Sequence, residues 1–178
     1  VLMRLCGVLA LLLCLGTPAL AAPQALSAAD AATYRTAFER ASALDWSGAR
    51  AKAAQATDPA LAEVILWLEL QDTARTGDFL AIVSFLVDKP GWPRLHDLRR
   101  RAEEAMPADL PAPDVVAYFD AFPPLSGGGT LRYLEALRGL GREAQLQEAV
   151  LTAWNERDFS ASDERTFIEN YARLIPAS

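Results

Sequence analysis

Few residues in this 178-residue chain have the type and spacing to do chemistry. Arg99-Arg100-Arg101 is the one basic cluster, and adjacent guanidinium groups suit a phosphate or a carboxylate. On a helix buried through Leu95, Leu98 and Ala102, the same run is a solvated face. Glu103 and Glu104 then stand four residues after Arg99 and Arg100, placed for ion pairs in the weaker orientation. Gly127-Gly128-Gly129 has the composition of a phosphate cradle, but no Lys-Ser/Thr pair follows it and no strand precedes it. Its expected role is a turn between Pro124 and a helix beginning near Thr130.

The single histidine, His96, has no cysteine or second histidine to complete a metal site, and no serine lies in a nucleophile-elbow context. An exposed or helix-capping histidine is the expected reading. The adjacent carboxylates Glu103/Glu104 and Asp163/Glu164 point about 100° apart on a helix, so neither pair converges on one substrate atom. Of the four tryptophans, Trp67 and Trp154 fall in apolar stripes and Trp92, between Gly91 and Pro93, plugs a turn. Trp46 is left open between core packing and stacking on a sugar. The sequence therefore nominates no catalytic, cofactor-binding or metal-ligating residue, and no cofactor.

The elements that would position these residues begin behind a leader. Met3-Arg4 gives a positive start, Leu5 to Leu15 is an almost unbroken apolar run, and Ala19-Leu20-Ala21 has a small-x-small cleavage pattern. That layout is a secretory signal peptide over residues 1–21, too short to span a bilayer. Leu13 ahead of Cys14 argues against a lipoprotein site. Cleavage after Ala21 leaves 157 residues with 16 basic against 23 acidic side chains, a charge of −7. Both cysteines, Cys6 and Cys14, leave with the leader, so stability must come from buried apolar area. The negative charge argues against nucleic acid or an anionic membrane as main partner.

Ala occurs 34 times and Leu 27 times, against 12 for Val and Ile together, which favours helix over strand. Apolar residues recur at helical spacing: Tyr34, Ala37, Phe38 and Ala41 behind Ser27 or Asp30; Leu61, Val64, Ile65 and Leu68 behind Asp58-Pro59; Phe79, Ile82, Val83 and Leu86. Leu95, Leu98, Ala102 and Ala105 follow, then Val115, Val116, Phe119 and Phe122. Leu131, Leu134, Leu137 and Leu140 run into Gly141, a C-terminal cap. Leu146, Ala149, Val150 and Ala153 precede Phe167, Ile168, Tyr171 and Leu174, which open behind a capping box at Ser160 and Asp163. Ala43 to Gln55 carries a weaker helical pattern. Helix pairs beginning near residues 29, 59, 94, 129 and 163 give spacings of 30, 35, 35 and 34, an α-solenoid of antiparallel helix pairs with a period of about 34 residues. The helical domain runs over 22–178. Its apolar last stripe, without a polar cap, reads as a superhelix that is cut, not finished.

Three stretches add a resemblance. Lys89-Pro90-Gly91-Trp92-Pro93-Arg94-Leu95 leads into Leu98-Arg99-Arg100-Arg101-Ala102-Glu103. Tyr118-Phe119 and Phe122-Pro123-Pro124-Leu125-Ser126-Gly127 precede Leu131 to Arg142. Ala153-Trp154 and Asp158-Phe159-Ser160 precede Glu164, Phe167 and Tyr171. In this order the set resembles the N-terminal superhelical, U-shaped region of soluble lytic murein transglycosylases. The resemblance implies a right-handed α-superhelix, a periplasmic location and peptidoglycan glycan strands as partner. It implies a parent enzyme that cleaves the β-1,4 bond between N-acetylmuramic acid and N-acetylglucosamine to a 1,6-anhydromuramyl end. One Glu, usually followed by Ser, acts as acid and then base in a separate lysozyme-like domain. None of the eleven glutamates here is followed by Ser, so no catalytic residue carries over. The chain is expected to be the non-catalytic leading part of such an enzyme. A free-standing periplasmic tetratricopeptide-like interaction module is the alternative.

Overall fold

The computed structural model describes residues 25–156 and 159–175. The expected leader, its cleavage point and Asp158 lie outside the described residues. Those residues form nine α-helices and no strand. They are α1 (Ala28–Ser42), α2 (Trp46–Ala53), α3 (Ala60–Leu70), α4 (Phe79–Asp88), α5 (Leu95–Ala105), α6 (Ala112–Ala121), α7 (Gly127–Gly139), α8 (Glu143–Glu156) and α9 (Ala161–Tyr171). The odd-numbered helices begin at residues 28, 60, 95, 127 and 161, so the two-helix unit recurs every 32 to 35 residues. The fold is an all-α solenoid, as the apolar spacing requires. Among the described residues no helix is long and apolar enough to cross a membrane.

Local chemistry sets the helix ends. Ser27, Asp45, Asp78, Ser126 and Ser160 each accept the backbone N–H three residues on, at 3.0, 3.0, 3.1, 2.9 and 3.2 Å. α3 differs: Pro59 occupies the cap position, and Asp58 reaches only as far as the Ala60 N–H, at 2.9 Å. α7 ends as Gly141 implied. At φ 66° this glycine lets Arg142 N–H bond the Leu137 carbonyl at 3.0 Å, while its own N–H bonds that of Arg138 at 3.1 Å.

The apolar stripes pack into two cores. Tyr34, Ala37 and Ala41 of α1, Trp46, Ala49 and Ala53 of α2 and Ile65 of α3 make the first. The second runs from Leu70 to Tyr171 and is continuous across seven helices, α3 to α9. Helix α3 serves both, with Ile65 on one side and Leu70 on the other.

Polar contacts between neighbouring units recur at a nearly constant sequence separation. Tyr34 donates its hydroxyl to the Asp58 carbonyl, Trp46 Nε1 donates to the Asp72 carboxylate at 2.6 Å, and Trp67 Nε1 donates to the Pro93 carbonyl at 3.1 Å. Lys89 pairs with Glu63 at 2.5 Å, and Arg132 Nη2 donates to the Pro107 carbonyl at 2.5 Å. These five contacts join residues 24 to 26 positions apart, and no side-chain hydrogen bond among the described residues spans more than 29. A solenoid has that property because each unit touches only its neighbours.

One buried charge sits where the two cores meet. Glu69 is 8% exposed and accepts hydrogen bonds from Arg50 and, at 2.6 Å, from Arg75. Glu69→Ala removes the common acceptor and is expected to cost about 1–3 kcal/mol of folding stability. It should read as a lower urea midpoint at unchanged m-value. Exposed Glu39→Ala on α1 should stay within about 0.5 kcal/mol of the parent.

Candidate functional site: a cleft between α6 and α8

The arginine run is divided by the structure. Arg99 Nη2 donates to the Pro123 carbonyl at 2.6 Å and its guanidinium lies 5.9 Å from the Phe122 ring centre. Arg101 Nη2 donates to the carbonyls of Asp72 and, at 2.8 Å, Arg75. The two thus anchor loops belonging to different neighbours, and only Arg100 is fully at the surface. The expected pairing of Arg99 with Glu103 does not form. Glu103 turns away to accept the N–H groups of Leu125 and Ser126 at 2.6 and 2.9 Å and the Ser126 hydroxyl at 2.6 Å.

That carboxylate explains the glycines. They are the first turn of α7, not a linker before it. A Cβ on Gly129 would lie 2.3 Å from Glu103 Oε2, and one on Gly127 would lie 2.6 Å from Asp163 Oδ2, whereas Gly128 faces open space. Two carboxylates approach a helix N-terminus, where the dipole favours them, and bare backbone makes the room.

His96 is exposed, its Nδ1 3.8 Å from Asp97 Oδ1. Trp92 does plug its turn, packed edge-on to Phe85 at 5.2 Å and beside Trp67 at 6.0 Å. Trp46 is buried, its N–H on Asp72. Trp154 departs from expectation. It is 46% exposed, stacked on Phe167 at 6.2 Å and 7°. The inward row of α8 is Leu146, Val150 and Ala153, and the next residue points a further hundred degrees or so round the helix.

A cavity lies elsewhere. A cleft of about 430 Å³ opens between α6 and α8 over α7. Phe119 and Asp120 come from α6, Pro123 and Pro124 from the following loop, Thr130, Tyr133 and Leu134 from α7, and Gln145, Glu148, Ala149, Thr152 and Ala153 from α8. Its size falls in the range of small-ligand sites, about 300–1,000 Å³. On one rim Tyr133 donates its hydroxyl to Asp120 Oδ1 at 2.7 Å. Gln145 Nε2 donates to that carboxylate oxygen and to the Tyr133 oxygen, both at 2.9 Å. Arg142 stands 3.7 Å from Asp120 Oδ2. Burial, reinforced by the hydrogen bond to the Asp120 carboxylate, pushes the Tyr133 phenol up to about 12. Burial beside the Glu103 charge raises Tyr118 still further.

Asp120 is thus held by donors, while Glu148 makes no hydrogen bond or ion pair among the described residues. The sequence reading did not single out Asp120, Tyr133, Gln145 or Glu148, since each lies off the apolar stripes. The available signal was the row Gln145, Glu148, Thr152 at helical spacing beside the small Ala149 and Ala153. No protein-family profile, curated protein or solved structure matches the chain.

Two predictions follow from these geometries. Gly129→Ala should displace Glu103 and lower stability by about 1–3 kcal/mol, whereas Gly128→Ala should be neutral or stabilising in the same thermal melt. The raised Tyr133 pKa supplies stability that is intact below pH 10 and lost as pH climbs through about 12. Tyr133→Phe should therefore show a shallower loss of stability over that window in urea titrations at stepped pH.

Proposed function

We propose that this chain is the non-catalytic helical scaffold of a periplasmic peptidoglycan lytic transglycosylase, a bent helical wall that guides glycan strands. Cleavage to 1,6-anhydromuramyl products belongs, in this reading, to a separate lysozyme-like domain of the parent protein, and the right-handed sense of the superhelix belongs to the same proposal. The supporting observation is where the resembling segments sit in the stack. Lys89 to Leu95 is the turn fixed by Trp67 on the Pro93 carbonyl and Lys89 on Glu63. Phe122 to Ser126 is the loop held by Arg99 and Glu103, and Gly127 opens α7. Leu140-Gly141-Arg142 forms the cap that reverses the chain into α8. Each segment acts as a joint between helices, and in a solenoid the small rotation at each joint sets the curvature of the whole surface.

The mature chain, incubated with purified sacculi, is expected to release no anhydromuropeptides. The gene beyond the Ser178 codon is expected to continue in frame through further helices to a Glu-Ser motif. Turnover by the chain alone would overturn the scaffold assignment. A stop codon at that point would instead favour the free-standing interaction module.

A further inference from the structure

The α6–α8 cleft has a property that a glycan-guiding wall does not require: among the described residues, the charged side chains that line it, Asp120 and Glu148, are both carboxylates. Helices α6 and α8 carry five carboxylates, Asp114, Asp120, Glu143, Glu148 and Glu156, and not one Lys or Arg. The basic residues of the α7 floor are turned to other work. Arg132 donates to the Pro107 and Ala108 carbonyls at 2.5 and 2.9 Å, and Arg138 lies 5.4 Å from the Tyr171 ring centre. Arg142, just ahead of α8, stands at the rim and faces Asp120. Inside, Phe119 and Tyr133 form a tilted aromatic pair with centres 5.6 Å apart, and both line the cavity.

We propose that this cleft is a binding site for a basic side chain, Lys or Arg, presented by a peptide ligand. The reading is independent of the transglycosylase assignment. Glu148 supplies a carboxylate with no hydrogen-bond or ion-pair partner among the described residues. Tyr133, backed by the buried ring of Phe119, supplies ring surface for the apolar stem and for cation–π attraction to the charged head. Thr152 and Ala149, one turn along α8, leave room for the stem because both are small. The Asp120–Tyr133–Gln145 hydrogen bonds hold the aromatic wall in place before a ligand arrives, so little ordering is left for binding. The volume of about 430 Å³ admits such a side chain with the flanking backbone. An anionic ligand meets repulsion from both walls.

The test uses the whole mature chain, isotopically labelled, titrated by NMR with four capped amino acids: N-acetyl-lysine amide, N-acetyl-arginine amide, N-acetyl-norleucine amide and N-acetyl-glutamate amide. The lysine and arginine probes should shift the amides of Glu148, Thr152 and Tyr133, with affinity falling as salt is raised. Norleucine, matched in apolar stem but uncharged, should bind at least about fivefold more weakly, and glutamate not at all. Glu148→Gln, a substitution at an exposed position that leaves the core untouched, should weaken the lysine probe by about fivefold while leaving the melting temperature unchanged. Ala149→Leu, which fills the cleft, should abolish the shifts. Equal binding of norleucine and lysine, binding of the glutamate probe, undiminished binding to both variants, or no shift with any probe would each overturn the proposal.

Discussion

A carbonyl in a loop packed between helices needs a donor, and in this chain the neighbouring repeat supplies several of them. A loop carbonyl has no helical partner, and a loop that packs against another helix loses water as a substitute. Arg99 answers for Pro123, Arg101 for Asp72 and Arg75, Arg132 for Pro107 and Ala108, Trp67 for Pro93 and Tyr34 for Asp58. In each case the donor is a long side chain whose stem or ring lies along apolar surface while its tip reaches the loop. With no disulfide in the described residues to close the loops, this stapling fixes where each helix pair stands relative to the next.

The stapling matters most where the apolar packing is thinnest. Two cores meet at α3, which gives Ile65 to one and Leu70 to the other. A solenoid whose hydrophobic core is interrupted would come apart at that point. Here the interruption is bridged by Glu69 between two arginines, by Trp46 on Asp72 and by Arg101 on the carbonyl of that same Asp72. A buried carboxylate is a poor source of net stability against a well-packed apolar alternative. What Glu69 supplies is geometry, since its two partners come from α2 and from the loop before α4 and so fix the first helix pair against the second.

Much of the fold was legible because a helix in a layered stack must repeat its apolar residues every three or four positions. Tyr34, Leu98, Leu134, Val150 and Phe167 were read as inward-facing and are 0 or 1% exposed. Ser27, Ser160 and Gly141 were read as caps and act as caps. The misreadings share a cause. Gly127–Gly129 looked like a linker because glycine is a poor helix former, and only the approach of Glu103 from α5 shows why bare backbone is needed inside α7. Glu103 was matched to Arg99 by spacing along one helix, but both side chains find partners more than twenty residues away. Trp154 was placed inside because tryptophan is apolar, although it lies one position past the inward row. Short-range pattern gives the face of a helix; it does not give the loop from the next repeat that arrives at that face.

The cleft follows the same logic, which is why no motif announced it. Phe119, Leu134 and Ala153 of its lining belong to the core, but Asp120, Gln145 and Glu148 lie off the inward rows of α6 and α8, so core packing does not constrain them. Val115, Val116 and Phe119 turn α6 inward and Leu146 and Val150 turn α8 inward, leaving Asp120, Gln145 and Glu148 free to differ without cost to the stack. Yet the gap between α6 and α8 is not a packing fault. Tyr133 rises from the floor to bond Asp120 on one wall, and Gln145 reaches across from the other to bond both. A three-sided hydrogen-bonded brace of this kind keeps the walls apart at a fixed distance as firmly as it keeps them together. An opening held by its own side chains, with one unpaired carboxylate beside it, is a feature of the sequence that stability alone does not demand.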